Sequence, residues 1–187
     1  MSRLYLGCGP GYPHQQHKDI MGDWQNWIFI DKYVDRDKIP LEVDFRDWNA
    51  ETLYEFSDGT VDEIYASHLL EHIPHTRVKE VLGNWYRKIK KGGKITLNVP
   101  DLQWVCLQLL KYEKGESLKG YYHQFEGEHG LLSIFYGSES HEGEYHKSGF
   151  IRKYLENILL DIGFIDVRVI KIFDAHDMGV LIATAKK

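Results

Sequence analysis

Cysteine is scarce: Cys8 and Cys106 are the only two in 187 residues, and they suggest neither a disulfide framework nor a zinc site. Long apolar runs are missing too, with nothing near the roughly 20 residues that span a bilayer. Met1-Ser2-Arg3 runs straight into strand-like residues with no signal-peptide core, so a cytoplasmic location is the expectation. Basic clusters stop at Lys90-Lys91, and 28 Asp and Glu outweigh 23 Lys and Arg for a formal charge of −5. That balance disfavours an extended phosphate backbone, and no nucleic acid partner is expected. Repeats, low-complexity tracts and linkers are also lacking, and the length suits a single domain, 1–187.

Aromatic side chains, by contrast, are plentiful: 5 Trp, 12 Tyr and 8 Phe. They suffice for a core and for the lining of a planar or sugar-like ligand pocket. Short apolar runs at Leu4–Leu6, Trp27–Ile30, Leu41–Val43, Val61–Ala66 and Lys94–Val99 read as strands. Val78, Val81, Leu82, Trp85 and Ile89 form a helical stripe that Gly92-Gly93 ends, with Lys88, Lys90 and Lys91 in its last turn. Asp101 is placed to cap a helix bearing Leu102, Val105, Cys106, Leu109 and Leu110. Ser148 is placed to cap another, bearing Ile151, Tyr154, Leu155, Ile158, Leu159 and Ile162 and stopped by Gly163. Two strands, 165–173 and 179–185, end the chain with a connection so short that they must pair antiparallel. The expected fold is α/β: a doubly wound, mostly parallel seven-stranded sheet with a C-terminal antiparallel hairpin. Residues 113–147 lack periodicity and read as an inserted segment on the substrate side.

Open α/β sheets bind ligands beyond the carboxyl ends of their strands, and three features fall there. Gly7-Cys8-Gly9-Pro10-Gly11 follows strand one, where glycine lets a ligand approach the backbone. Asp31 ends strand two, placed to accept both hydroxyls of a ribose. Asp44-Phe45 ends the expected strand three, suited to an adenine amino group and ring. This layout fits an adenosine ligand with a short tail. The dinucleotide fingerprint G-x-G-x-x-G is missed by one residue, because Gly11 comes early and Tyr12 takes the third glycine's place.

Taken together these residues resemble the class I methyltransferases that use S-adenosylmethionine (SAM), in the branch called methyltransferase type 11. Leu4-Tyr5-Leu6-Gly7-Cys8-Gly9 is similar to their motif I, and Asp31 to the acid after strand two. Val61-Asp62-Glu63-Ile64-Tyr65-Ala66-Ser67-His68-Leu69-Leu70-Glu71-His72-Ile73 resembles their strand-four segment. Arg87 to Ile95 is similar to the turn before strand five, with Lys91 for the usual proline. His146 to Phe150 and Leu159 to Phe164 resemble members found with sugar and cell-surface polysaccharide clusters. The resemblance implies SAM as cofactor, surrounded by Gly7, Cys8, Gly9, Asp31, Asp44, Phe45, Ser67 and His68.

Methyl transfer from a sulfonium needs alignment above all, and a base when the acceptor is a hydroxyl. His68 and His72 lie just beyond strand four. His129, His141 and His146 lie in or near segment 113–147, which must roof the acceptor. His146, with Glu144 and Tyr145 beside it, is the preferred base, and His72 the second candidate. His141 and His146 are five apart around Gly143 and do not form H-E-x-x-H, so no metal is expected there. The (D/N)-P-P-(Y/F) element of DNA amino-methyltransferases is absent, as is a Pro-Cys nucleophile. An oxygen or nitrogen of a small-molecule or sugar acceptor is the expected target. An NAD-linked oxidoreductase and a non-catalytic SAM-binding scaffold are the alternatives.

Overall fold

Strand residues of alternating parity face two different cores. In β1 (Arg3–Leu6), Leu4 and Leu6 join the larger core while Tyr5 joins a second. β2 (Trp27–Ile30) splits Ile30 from Trp27 and Phe29, and β4 (Val61–Ser67) splits Ile64 and Ala66 from Tyr65. Apolar residues on both faces mark a parallel sheet covered on each side. The computed structural model describes residues 2–9, 15–32, 37, 39, 43–116, 127–138, 142–174 and 178–187.

The remaining strands are β3 (Asp44–Arg46), β5 (Ile89–Pro100), β6 (Ile165–Phe173) and β7 (Gly179–Lys186). The seven strands lie in the order β3-β2-β1-β4-β5-β7-β6. The first five pair in parallel, and β7 is antiparallel to both β5 and β6. The chain thus forms the doubly wound sheet and terminal hairpin that its pattern implies.

α2 (Val78–Lys88) and α5 (Arg152–Ile162) bury Val78, Val81, Leu82 and Trp85, and Leu155, Ile158 and Leu159, in the larger core. α1 (Gln15–Met21) delivers Met21 to the second core. α3 (Leu102–Glu113) and α4 (Gly127–Tyr136) enclose a third around Trp104, Val105, Leu131 and Ile134. Among the described residues no helix is long and apolar enough to cross a membrane.

Several boundaries differ from the sequence reading, each for a tertiary reason. Strand three begins at Asp44 rather than ending there, because the pairing of Asp44, Phe45 and Arg46 with Ile28, Phe29 and Ile30 defines it. Leu41 and Glu42 lie outside the described residues. α2 stops at Lys88, and Ile89 turns extended to pair with Val61, so β5 starts five residues early. Lys90 consequently leaves the helix and bonds Asp62. Segment 113–147 contains the ten-residue helix α4, whose glycines weaken its own propensity and which packs on α3. Asp101 caps α3 as expected, accepting from the Gln103 N–H at 3.0 Å. Ser148 caps nothing: its hydroxyl donates to the Leu70 carbonyl at 2.9 Å, and α5 starts after Ile151 without a side-chain cap.

Candidate functional site

The strand order reverses at β1, which leads to β2 and β3 on one side and adjoins β4 and β5 on the other. Doubly wound sheets open their ligand crevice at that switch point. Register sets Leu6 level with Ile30 and Ala66, Ile30 with Arg46, and Ala66 with Leu97. The next residues, Gly7, Asp31, Asp47, Ser67 and Asn98, therefore share one rim.

Two glycines shape the loop above β1. Gly7 has φ +67°, and its N–H donates to the Ile30 carbonyl at 2.9 Å. A Cβ there would stand 2.8 Å from Leu69 Cβ, so the β4 loop packs directly on it. Gly9 has φ +63° and donates its N–H to Asp31 Oδ2 at 2.9 Å. A Cβ on Gly9 would meet nothing within 4 Å among the described residues, so the loop is open toward them at that point. Cys8 between them packs against the second core. Burial first, and the Asp31 charge second, push its thiol pKa well up. Gly11 lies outside the described residues.

The structure does not bring Asp44 and Phe45 to this rim. Asp44 lies three positions before Asp47, about 10 Å down the strand at its usual rise, and its carboxylate pairs with Arg46 at 2.7 Å. Phe45 is a buried member of the second core. The acid on the rim at β3 is Asp47, which only the strand register reveals. Ser67 is buried in a chain of polar contacts: Asn98 Nδ2 donates to Ser67 Oγ at 3.1 Å, and Ser67 Oγ lies 3.4 Å from His17 Nε2. His17 Nδ1 in turn lies 2.8 Å from the Tyr5 hydroxyl. Asn98 Oδ1 is buried with no hydrogen-bond partner among the described residues. His17 escaped the sequence reading because its partners lie on β1 and β4, reached only through the fold.

His68 adopts φ +50°, a strained conformation for a residue with a side chain, directly after β4. Its Nδ1 lies 3.1 Å from Glu71 Oε1. Burial alone would lower the His68 pKa, but the Glu71 hydrogen bond and charge outweigh it and raise it. Burial likewise acts to raise Glu71, yet His68, then His72 and His146, hold it below the ordinary value.

Glu71 and His72 occupy a turn of 3₁₀ helix, Leu70–His72, onto which the segment after 144 docks. The N–H groups of Lys147 and Ser148 both donate to the Glu71 carbonyl, at 2.6 and 3.0 Å. His146 thereby meets His72 edge to face, with ring centroids 4.9 Å apart. His72 Nδ1 lies 3.2 Å from the Tyr145 carbonyl, and His146 Nδ1 lies 2.7 Å from that of Ile134. Burial lowers the His146 pKa, opposed in part by Glu71, which favours a neutral imidazole at pH 7. Glu144 turns away and accepts from the Ser138 hydroxyl at 3.1 Å. His129 is exposed on α4, and His141 lies outside the described residues. Chain spacing sets His146 beside Glu144 and Tyr145, whereas His72 reaches it from before β5 in the chain. Glu71 and His146 line a cavity of about 250 Å³ together with Tyr136, Lys147 and Ser148 and the apolar Pro100, Leu102, Val105, Ile134, Phe135 and Phe150.

Solved structures of similar fold include a SAM-dependent methyltransferase from Archaeoglobus fulgidus, at 18% identity and TM-score 0.62, covering 100% of this chain and 86% of the other. A SAM-dependent methyltransferase from Methanosarcina mazei is 20% identical with TM-score 0.59, covering 99% and 92%. The 1,6-didemethyltoxoflavin-N1-methyltransferase of Burkholderia thailandensis, solved with its substrate and S-adenosylhomocysteine, is 12% identical with TM-score 0.59, covering 98% and 70%. No curated protein matches the sequence. The methyltransferase domain model of type 11 matches residues 4–97, from β1 through most of β5 and so across Gly7, Asp31, Asp47 and Ser67 of the rim, and the chain belongs to that family of SAM-dependent methyltransferases.

Proposed function

We propose that the enzyme transfers the methyl group of SAM to an oxygen or nitrogen of a small-molecule or carbohydrate acceptor lodged beside Glu71 and His146. The donor set suits the cofactor. The opening at Gly9 leaves room for the amino-acid tail, and Asp31 offers carboxylate oxygens to ribose hydroxyls. The adenine then lies toward the end of β3, where Asp47 takes the place first given to Asp44. His68 and Ser67 close the β4 side of the crevice.

The observation that carries the acceptor reading is the cavity. At about 250 Å³ it lies just under the usual range of ligand pockets, which suits a compact acceptor over a polymer threaded through the site. Its apolar walls suit a ring, and Glu71 and His146 are among the polar groups that line it. His146, which lines it, and His72 beside His146 are the candidates for contact with the acceptor's nucleophilic atom. The net charge of −5 favours the same class over an extended polyanion. On this reading residues 1–187 act as one unit, with 113–147 as its acceptor-side wall.

Calorimetric titration with SAM, S-adenosylhomocysteine and NADH tests the cofactor site. Hydrogen bonds to a charged group contribute about 1.5–3 kcal/mol, so Asp31→Ala should weaken homocysteine-analogue binding roughly 10- to 150-fold. Binding of NADH alone would overturn the reading. Methyl transfer to RNA or protein, with none to small hydroxyl and amine acceptors, would overturn the acceptor class.

A further inference from the structure

We infer that Glu71, His72 and His146 form a binding site for one divalent transition-metal ion at the wall of the acceptor cavity. One ligand atom from each of the three lies within 4.8 Å of the others. Around an ion with bonds of about 2.1 Å, ligand atoms sit roughly 3–3.5 Å apart, so closure of the widest pair by roughly 1.3–1.8 Å completes the set. Two imidazoles and one carboxylate select the zinc, iron, cobalt and nickel class over magnesium or calcium, which prefer oxygen alone.

Three further observations point to a cation. Glu71 is 2% exposed, and its Oε2 has no hydrogen-bond partner among the described residues. A buried carboxylate oxygen without a partner is costly, and an ion removes that cost. His72 and His146 each hold Nδ1 against a backbone carbonyl, of Tyr145 and Ile134. That arrangement puts the proton on Nδ1 and leaves the Nε2 lone pair for a metal, the usual outer support of a ligating histidine. His68, bonded to Glu71 Oε1, orients the carboxylate in the same way.

The site is open on one side. His146 and Glu71 line the cavity, so positions not filled by protein face the space assigned to the acceptor. An acceptor hydroxyl bound there is held at the wall and acidified by the ion, whereas a carbonyl oxygen is held and polarised. The ion site itself stands on geometry; its role in holding the acceptor rests on the methyl-transfer reading above.

The full chain, stripped with chelator, is titrated with Co(II) and Zn(II), read by calorimetry and by the visible ligand-field bands of Co(II). One ion per chain is expected, with bands of a nitrogen–oxygen site. Loss of a ligand should weaken binding by more than the roughly 10–100-fold seen for outer-shell changes, in both Glu71→Gln and His146→Ala. His146→Ala should keep wild-type S-adenosylhomocysteine affinity, which confirms its fold. Absence of Co(II) bands in the wild type, or wild-type metal affinity in either variant, would overturn the site. A chain that binds metal but neither SAM nor S-adenosylhomocysteine would overturn the cofactor reading and leave the metal site standing; the reverse outcome would do the opposite.

Discussion

The N–H of Gly9 donates to Asp31 Oδ2 at 2.9 Å, so the loop after β1 and the acid after β2 form one unit. The two glycines flanking Cys8 serve this unit differently, and alanine substitution separates them. Gly7→Ala meets left-handed strain and a Leu69 contact of 2.8 Å. Strain costs about 1–2 kcal/mol and overpacking about 1–3 kcal/mol more, so thermal denaturation should register a large loss of stability. Gly9→Ala pays strain alone, since its Cβ meets nothing within 4 Å among the described residues. It should stay folded yet bind S-adenosylhomocysteine at least about tenfold more weakly, because the new methyl enters the ligand's space. Normal binding by Gly9→Ala would show that the opening is not the cofactor's.

The two cysteines should differ in reactivity for reasons visible in their surroundings. Cys106 is exposed, whereas Cys8 is half-buried with its thiol pKa pushed up by burial and then by Asp31. Only the thiolate reacts, so at about pH 8 a thiol reagent should modify one cysteine per native chain. Cys106→Ser should abolish that fast phase, and Cys8 should react only on unfolding. The sign of the linkage follows: a thiol whose folded pKa is raised stabilises the protein below its unfolded pKa, and that contribution fades as pH rises. Fast labelling of Cys8 in native Cys106→Ser would contradict this account.

What the sequence discloses and what it hides divide along local and long-range lines. The alternation of Leu4, Tyr5 and Leu6 and the spacing of Val78, Val81, Leu82 and Trp85 are set by neighbours in the chain, and both led to the right elements. The glycine loop and Asp31 were legible for the same reason, since each directly follows an apolar run. β3 was misplaced because Asp44–Arg46 is a strand by virtue of hydrogen bonds to β2, with only Phe45 buried. Ser148 has the chemistry of a cap, but the Leu70 carbonyl outcompetes the helix for its hydroxyl. The meeting of His146 with Glu71 and His72 depends on the 146–148 backbone docking on a distant turn, which no spacing rule encodes.

Trp85 offers a check on the core that supports the site from below. Its ring is fully buried on α2, and its Nε1 donates to the Ala50 carbonyl at 2.7 Å. Ala50 follows β3 closely, so this bond ties α2 to the chain leaving the rim at Asp47. Trp85→Phe keeps an aromatic ring but removes the donor, leaving a buried carbonyl unpaired at about 1–3 kcal/mol. The smaller ring also leaves a void, so a total near 2–4 kcal/mol is expected. For a chain of this size that lowers Tm by roughly 5–15 °C. Trp85→Leu removes the same donor with a larger void and should lose more still. A change below about 1 kcal/mol in Trp85→Phe would mean that the Ala50 carbonyl finds another partner, and that α2 is not the anchor of that turn.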